Sequence, residues 1–246
     1  IYGDTDSIFV KLPPDLELKS DRKAELLKRA REASKRISEE LPLDLALEDF
    51  FKSIFFTGKK KRYAALTDTG EIVVRGLEVR RGDWCELAKD VQTKVIELIL
   101  KEKNPEKAMH YVKSVLKDLK EGRIPIDTLT IYKTLTRKIS SYETKQAHVI
   151  AAERALAARI SYEVGSKIPY VIIKGTGKTS DRAFPVDLIE RSEGNELYAE
   201  GRNYAIDIAY YIQHQIIPVA HRVLQLFGYD IASFEEGGQK TLGQWF

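Results

Sequence analysis

The chain has 246 residues, is 43% hydrophobic and carries a formal net charge of +3, which allows one large domain or two small ones with a substantial core. Its single cysteine, Cys85, excludes a disulfide framework and a cysteine-rich zinc site. No apolar stretch is long enough to cross a membrane and no signal peptide is visible. We therefore expect an intracellular protein with no membrane partner.

Residues 1–12 predict two short strands joined by a tight turn, because apolar residues flank a stretch rich in Asp and Gly. The turn carries Asp4 and Asp6, and side chains two positions apart in an extended segment point the same way. Two interpretations stay open at this point. Asp and Gly are common turn residues, whereas a pair of carboxylates supplies the hard oxygen ligands that Mg²⁺ prefers.

The next two segments predict a helix and then a group of strands. Ser20 is a helix-capping residue, and apolar or small residues follow it at helical spacing as far as Leu41. Residues 50–79 are rich in aromatic and β-branched residues, with a turn signal at residues 68–70. This segment predicts a meander of strands.

After Trp84 the pattern changes to that of helices. One helical stripe is formed by Leu87, Val91, Val95 and Leu98. Asn104 and Pro105 predict the start of a second helix, and Gly122 predicts its end. We therefore place a boundary near residue 85, between a mixed α/β part and a mostly helical part.

The remainder predicts a mixture of extended and helical segments. Residues 128–136 and 168–175 are expected to be extended, and the alanine-rich residues 145–162 are expected to be helical. Residues 203–227 predict a long helix that is kinked or broken near Pro218, because proline has no N–H to donate.

Three motifs carry a family resemblance. They are YGDTDS (residues 2–7), GKKKRY (58–63) and RGLEVRRGDW (75–84). In order and spacing they resemble the third polymerase motif, the basic-aromatic palm motif and the palm-closing segment of the family B DNA polymerases. Three later segments resemble the thumb of that family: YETKQAHV (142–149), IPYVIIKG (168–175) and YYIQHQIIPVAHRVL (210–224). One departure is Gly82, because the closing motif of the family runs Arg-Arg-Asp-Trp without an intervening glycine.

The resemblance implies an α+β fold, with a small palm sheet and a flanking helix followed by a mostly helical thumb. It divides the chain into a palm part (1–85), a thumb (86–233) and a flexible tail (234–246). It also implies template-directed DNA synthesis in an archaeal replicative enzyme. Primer–template DNA and a dNTP would then be partners, and the location would be cytoplasmic and nucleoid-associated.

The resemblance also implies roles for particular residues. Asp6 matches the carboxylate that bridges two Mg²⁺ ions, and Asp4 matches its catalytic neighbour. Contacts to DNA are implied for Thr5, Lys59, Lys60, Lys61, Arg62, Tyr63, Arg80, Arg81, Tyr142, Lys145 and His148. Two alternatives stay open: the two arginines of the closing motif either support the primer strand or pair internally with Glu78 or Asp83, and His148 is either a DNA contact or a core or capping histidine.

Two motifs of the family are absent from this sequence. One, Asp-x-x-Ser-Leu-Tyr-Pro, supplies the second carboxylate, and the other, Lys-x-x-x-Asn-Ser-x-Tyr-Gly, binds the incoming nucleotide. The resemblance therefore implies that both Mg²⁺ ions are shared with carboxylates outside this chain. A chain or region that carries the fingers and the other palm motifs would complete the site. The alternative is a non-catalytic DNA- and clamp-binding subunit with a polymerase-like fold.

The last residues contain a peptide motif. Gln239, Leu242, Trp245 and Phe246 follow the pattern Gln-x-x-aliphatic-x-x-aromatic-aromatic, which matches the motif by which replication proteins bind the sliding clamp. A helical turn would place the three apolar side chains on one face, as groove-binding peptides do. The alternative is that Trp245 and Phe246 pack back onto the thumb.

The segment KGTGKTSD (residues 174–181) superficially resembles a P-loop. The P-loop motif requires a glycine five positions before Gly177, where this chain has Ile172. No apolar helical pattern follows Thr179. We therefore expect a thumb loop at this position and no nucleotide site.

Overall fold

A computed structural model of the chain describes residues 2–3, 7–11, 20–42 and 44–235. Over these ranges it consists of helices and small antiparallel sheets, which confirms the predicted α+β class. Among the described helices, none is both long and apolar enough to span a membrane.

The chain begins with a two-stranded hairpin and a long helix. Strands β1 (Tyr2–Gly3) and β2 (Ile8–Phe9) pair antiparallel, with Tyr2 opposite Phe9 and Gly3 opposite Ile8. Helix α1 (Ser20–Glu40) follows. Both predictions for this segment are confirmed, within the residues that the structure describes.

The predicted meander is an antiparallel sheet in the order β3–β4–β5. Its strands are β3 (Phe51–Phe56), β4 (Tyr63–Thr67) and β5 (Ile72–Arg75). The predicted turn lies between β4 and β5, where the Gly70 N–H donates to the Thr67 carbonyl at 3.2 Å. Gly70 has φ +93°, a conformation that favours glycine.

Helices α2 (Glu86–Glu102) and α3 (Pro105–Lys120) form the next layer. The four residues of the predicted α2 stripe are all buried. Asn104 caps α3, because its Oδ1 accepts from the Lys107 N–H at 2.8 Å. Gly122 follows the end of α3 with φ +72°, as expected for a helix C-terminus. A short helix, α4 (Ile126–Leu129), comes next.

A second antiparallel sheet has the order β6–β7–β8 and packs against helix α5 (Ala147–Ala157). Its strands are β6 (Ile131–Thr134), β7 (Lys167–Ile172) and β8 (Ala183–Pro185). Helix α5 is shorter than the predicted 145–162. The chain leaves the helix at Arg159, which has φ +69°, and the Ile160 N–H donates back to the Ala155 carbonyl at 2.9 Å.

A third three-stranded sheet, in the order β9–β10–β11, was not expected from the sequence. Its strands are β9 (Arg191–Glu193), β10 (Glu196–Ala199) and β11 (Arg202–Ala205). The prediction of a helix from residue 203 is therefore wrong for its first residues, which pair with β10. The helix starts after Asp207, whose Oδ1 accepts from the Tyr210 N–H at 3.0 Å.

The last long helix is continuous through Pro218 but changes its winding. It consists of α6 (Ile208–Tyr210), a π-helical stretch (Tyr211–Ile216) and α7 (Ile217–Leu224). The helix is therefore not broken at Pro218, and a π-helical stretch that the sequence did not predict precedes the proline. Proline lacks the N–H that continues the α-helical pattern, and π-helical turns are one way to relieve such a defect.

One hydrophobic core continues across residue 85. Leu77 and Cys85 are buried in the same cluster as Val95 of α2 and Val219 and Val223 of α7. Burial raises the pKa of the Cys85 thiol to about 12, so this cysteine is a packing residue without thiolate reactivity. The β3–β5 meander and the helices after it are therefore held together by shared packing.

Candidate functional site

The predicted catalytic turn, which contains Asp4, Thr5 and Asp6, lies outside the described residues. The strands on either side of it are described, and they form the paired hairpin β1–β2. Phe9 of this hairpin packs against the β3–β4 pair. Its ring makes edge contacts with Phe56 and Tyr63 at centroid distances of 5.4 and 5.3 Å.

These aromatic contacts join the hairpin to the β3–β4 pair. Phe9 also stacks on Phe51 at 6.4 Å, and Phe56 packs against Tyr63 at 5.8 Å. Aromatic pairs of this kind contribute about 0.5–1.5 kcal/mol each beyond their burial. Tyr63, a predicted DNA contact, is therefore half-buried against the strand that leads out of the catalytic motif.

The remaining residues of the basic motif form an exposed turn between β3 and β4, which we call the basic turn (residues 58–62). The Thr57 N–H donates to the Arg62 carbonyl at 3.1 Å, and the Arg62 N–H donates to the Lys59 carbonyl at 3.3 Å. Lys59 and Lys60 are exposed and form no ion pair with any residue that the structure describes. Exposed ammonium groups of this kind suit the phosphates of a nucleic acid.

Gly76, in the third motif, lies directly against the basic turn. Its φ is +65°, and a Cβ at this position would be 2.3 Å from the Lys61 carbonyl oxygen. Lys61 itself has φ +61°. The close approach of these two backbones explains why the sequence has a glycine between Arg75 and Leu77.

We expect Gly76→Ala to lower the free energy of unfolding by about 2–4 kcal/mol, because the new methyl group meets the backbone and the left-handed conformation is strained. Thermal unfolding measures this loss. Gly82→Ala is the matched control, because a Cβ at Gly82 meets no atom within 4 Å. Equal stability of the two variants would contradict the proposed backbone contact.

The arginines of the third motif were expected either to support a primer strand or to pair internally. Arg81 pairs internally, because its Nε and Nη2 donate to the two carboxylate oxygens of Asp83 at 3.0 and 2.6 Å. This hydrogen bonding raises the pKa of Arg81. The pair spans Gly82 and remains about half exposed. The backbone of Arg80 ends a 3-10 turn (Glu78–Arg80), and its side chain lies outside the description.

Glu78, the other proposed internal partner, has different neighbours. It is 1% exposed. Its Oε2 accepts from the Gln92 Nε2 at 2.9 Å, and its Oε1 is 3.0 Å from the Arg222 Nε, in an ion pair outside hydrogen-bond geometry. Gln92 and Arg222 were not among the residues predicted from the sequence. For Gln92, the signal in the sequence was a glutamine next to the apolar stripe of α2, where a buried polar side chain needs a hydrogen-bond partner.

Two predicted thumb contacts lie at the surface with internal partners. The Tyr142 hydroxyl accepts from the Thr136 N–H at 2.9 Å, and hydrogen bonding to Thr136 lowers the pKa of Tyr142. The Arg137 guanidinium lies 5.3 Å above the Tyr142 ring. Lys145 is exposed and pairs with Glu153 at 2.9 Å. Contacts of Tyr142 and Lys145 with DNA remain predictions.

His148 is a core residue, in agreement with the second of its two alternatives. It is 2% exposed and packs edge-on against Tyr142 at 5.6 Å. Burial, with a smaller contribution from the charge of Lys133, lowers the pKa of His148 to about 4. A side chain so enclosed has no surface to offer a phosphate, so the predicted duplex contact of His148 is not supported.

The buried neutral His148 makes stability depend on pH. Its pKa in the folded chain, about 4, is below the value of about 6.5 expected in the unfolded chain. The contribution of neutral His148 to the free energy of unfolding is therefore present above pH 6.5. It is lost as the pH drops from 6.5 towards 4. We expect a loss of about 2 kcal/mol between pH 7.5 and 5, measured by urea unfolding. His148→Gln should flatten this dependence, and an unchanged slope would contradict the assignment.

The loop at residues 174–181 differs in structure from a P-loop. The Lys178 N–H donates to the Asp181 carboxylate at 3.2 Å, so this backbone donor has a partner within the loop. A short 3-10 turn (Thr179–Arg182) and strand β8 follow, in place of the helix of a P-loop.

The structure does not describe the predicted clamp-binding peptide or the predicted metal ligands. The clamp-binding residues Gln239, Leu242, Trp245 and Phe246 lie outside the described residues. Within the described part of the chain, no group of three or more His, Cys, Asp or Glu side chains is arranged to hold a metal ion.

The strand that follows the acidic sequence motif thus packs against Tyr63, which directly follows the exposed basic turn. The family model described as DNA polymerase family B matches residues 1–227. The chain therefore belongs to family B of the DNA polymerases.

Several archaeal proteins are similar to this chain. A DNA polymerase of Archaeoglobus fulgidus is 48% identical over 250 residues, which cover 100% of this chain and 31% of that protein. DNA polymerase 2 of Aeropyrum pernix is 39% identical over 98% of this chain and 27% of its own length. The family B DNA polymerase structure from Pyrobaculum calidifontis matches with a TM-score of 0.64 at 33% identity, over 86% of this chain and 25% of that one. This chain thus spans less than a third of these proteins.

Proposed function

We propose that this chain takes part in template-directed DNA synthesis, the transfer of a nucleotide from a dNTP to a primer 3′-OH. Residues 1–85 would form part of the palm, residues 86–233 the thumb, and residues 234–246 a tail with a clamp-binding peptide. The contact of Phe9 with Tyr63 carries this proposal. This contact packs the strand after the proposed catalytic motif against the basic motif. A site that binds a primer end together with its duplex requires these two motifs to lie close together.

Asp6 and Asp4 are the residues that would hold Mg²⁺. Their carboxylate oxygens are hard ligands of the kind that Mg²⁺ prefers, and the pairing of β1 with β2 joins both ends of their turn. When bound, two Mg²⁺ ions would stabilise the attacking and leaving oxygens of the transfer. The contribution of this chain is to place the two carboxylates at the primer end.

The basic turn would hold the duplex through its phosphates. Lys59, Lys60, Lys61 and Arg62 present positive charge without donors arranged for particular bases, which favours binding that is independent of sequence. A polymerase requires this tolerance, because it must advance over every template. Tyr142 and Lys145 would add contacts from the thumb.

Two motifs that this chain lacks, the one that binds the incoming nucleotide and the one that supplies the second carboxylate, imply a further component. We propose that a region carrying the fingers and the other palm motifs docks beside the hairpin β1–β2 and completes the metal site. Trp245 and Phe246 of the tail would bind the sliding clamp, which would keep the enzyme on DNA.

The test is recovery of this chain from its native extract, followed by primer extension with Mg²⁺ and four dNTPs. We expect the recovered material to extend primers and to contain the missing motifs. Recovery of material that binds DNA and the clamp but extends no primer would overturn the catalytic proposal. It would favour the non-catalytic subunit.

A further inference from the structure

A buried carboxylate, Glu78, lies where the third motif meets two helices. It is 1% exposed and lies between Gln92 of α2 and Arg222 of α7. The side chain of Arg222 is 27% exposed and lines a groove that Lys59 of the basic turn also lines. The carboxylate is therefore enclosed just behind a surface to which the basic turn contributes.

Gln92 extends the contact between Glu78 and Arg222 into a hydrogen-bond network. Its Nε2 donates to Glu78 at 2.9 Å and lies 3.1 Å from the Val219 carbonyl, to which it also donates. Its Oε1 accepts from the Val79 N–H at 2.9 Å. The amide thus binds the backbone of the third motif on one side and the backbone of α7 on the other, while it holds Glu78 in place.

The segment that this network holds carries the groups predicted to contact DNA. At its start, Gly76 lies against the Lys61 carbonyl of the basic turn. At its end, the Arg81 N–H donates to the Glu78 carbonyl at 2.8 Å. A shift of Glu78 would therefore move both the support of the basic turn and the backbone of Arg81.

Stability alone does not explain these buried polar groups. Replacing a buried ion pair by apolar residues of similar volume is often neutral or stabilising, since removing two charges from water is costly. In some proteins such groups instead fix one arrangement of the neighbouring elements. Here the elements are the third motif, α2 and α7.

We propose that Glu78 is a positioning residue for duplex binding. It holds the third motif against α2 and α7, through Gln92 and Arg222, so that the basic turn and Arg81 keep the geometry in which they meet phosphates. This inference rests on the proposed binding of duplex DNA by the chain.

The experiment measures the dissociation constant of a primer–template duplex for the chain and for Glu78→Gln, over a range of salt concentrations. Glu78→Gln keeps the side-chain volume but removes the charge that faces Arg222. We expect an affinity loss of about tenfold. We also expect the slope of log K against log salt concentration to be smaller by about 0.9, which corresponds to the loss of about one phosphate contact. Measurements are made well below the unfolding temperature, where lower stability alone changes neither quantity.

A second variant, Glu78→Gln with Arg222→Gln, guards against a failure to fold, because it leaves neither charge buried alone. It should show the same reduced slope. Glu97→Gln is the matched control on α2, since Glu97 pairs with the exposed Lys94 and Lys101, and should bind as the unchanged chain does. Unchanged affinity and slope in the double variant would overturn the positioning role.

Lys59→Ala with Lys60→Ala separates this inference from the proposed function. If the unchanged chain binds no duplex, the proposed function fails. If it binds duplex, and the lysine variant loses affinity while both Glu78 variants do not, only the positioning role fails.

Discussion

Replacing Asp6 by Asn should reduce primer extension by at least ~10³-fold, because it removes a charged oxygen ligand from the site of metal binding. The assembled enzyme, with the missing motifs present, is the material for this measurement. The dissociation constant for duplex DNA should stay within about twofold, since phosphates are bound by the separate basic turn. The two readouts together assign Asp6 to the chemical step.

Asp44→Asn is the matched control for this change. Asp44 is exposed in the connection between α1 and β3, so its loss of charge should affect neither readout. Extension that survived in the Asp6 variant would contradict the catalytic assignment. An equal loss of extension in both variants would point to a general effect of net charge.

Removing the chain from Gln239 onward should abolish the stimulation of synthesis by the sliding clamp, while basal synthesis without the clamp stays unchanged. Tethering can raise overall avidity by about 10²–10⁴-fold without any new contact at the active site. Primer extension with and without the clamp, at enzyme concentrations below the duplex dissociation constant, measures both quantities.

A finer variant tests the residues of the tail without shortening it. Trp245→Ala with Phe246→Ala removes the aromatic pair but keeps the length, and should reproduce the loss of stimulation. Lys240→Ala, between the motif positions, is its control and should keep the stimulation. An equal loss of basal and stimulated synthesis would instead favour packing of the tail on the thumb.

The internal contacts of the chain suggest how the proposed parts could act together. Phe9 joins the hairpin to the β3–β4 pair, and Gly76 joins the basic turn to the third motif. The Gln215 Oε1 accepts from the Cys85 N–H at 2.9 Å, where the third motif passes into α2. The strand that follows the first motif thus contacts the β3–β4 pair, the basic turn contacts the third motif, and the third motif is hydrogen-bonded to the last long helix.

Local patterns predicted many of the elements correctly. The α2 stripe, the Asn104 cap and the Gly70 turn each depend on side chains within a few residues, so their physical causes are visible in a short stretch of sequence. The strands β9–β11 were missed because each has only three or four residues of mixed polarity. Such strands owe their existence to pairing partners and to packing.

In the candidate site, too, some features could be predicted from local sequence and others depended on tertiary packing. The order and spacing of the three motifs identified the family, and the exposed basic run could be recognised as a phosphate-binding candidate. Sequence could not decide between the two roles of His148 or between the two partners of Arg81. Those outcomes depend on which neighbours exclude water and which charges come within hydrogen-bond distance.

The sequence by itself determined the class of fold, the buried stripe of α2, the start and end of α3 and the membership of a polymerase family, because these follow from local periodicity, capping and motif order. Only the tertiary structure decided that His148 is buried, that Gly76 supports the basic turn, and that Glu78 meets Gln92 and Arg222. Glu78 and Arg222 are 144 positions apart in the sequence. Contacts between residues so far apart in the sequence form when helices pack around a shared core, so a local sequence pattern cannot predict them.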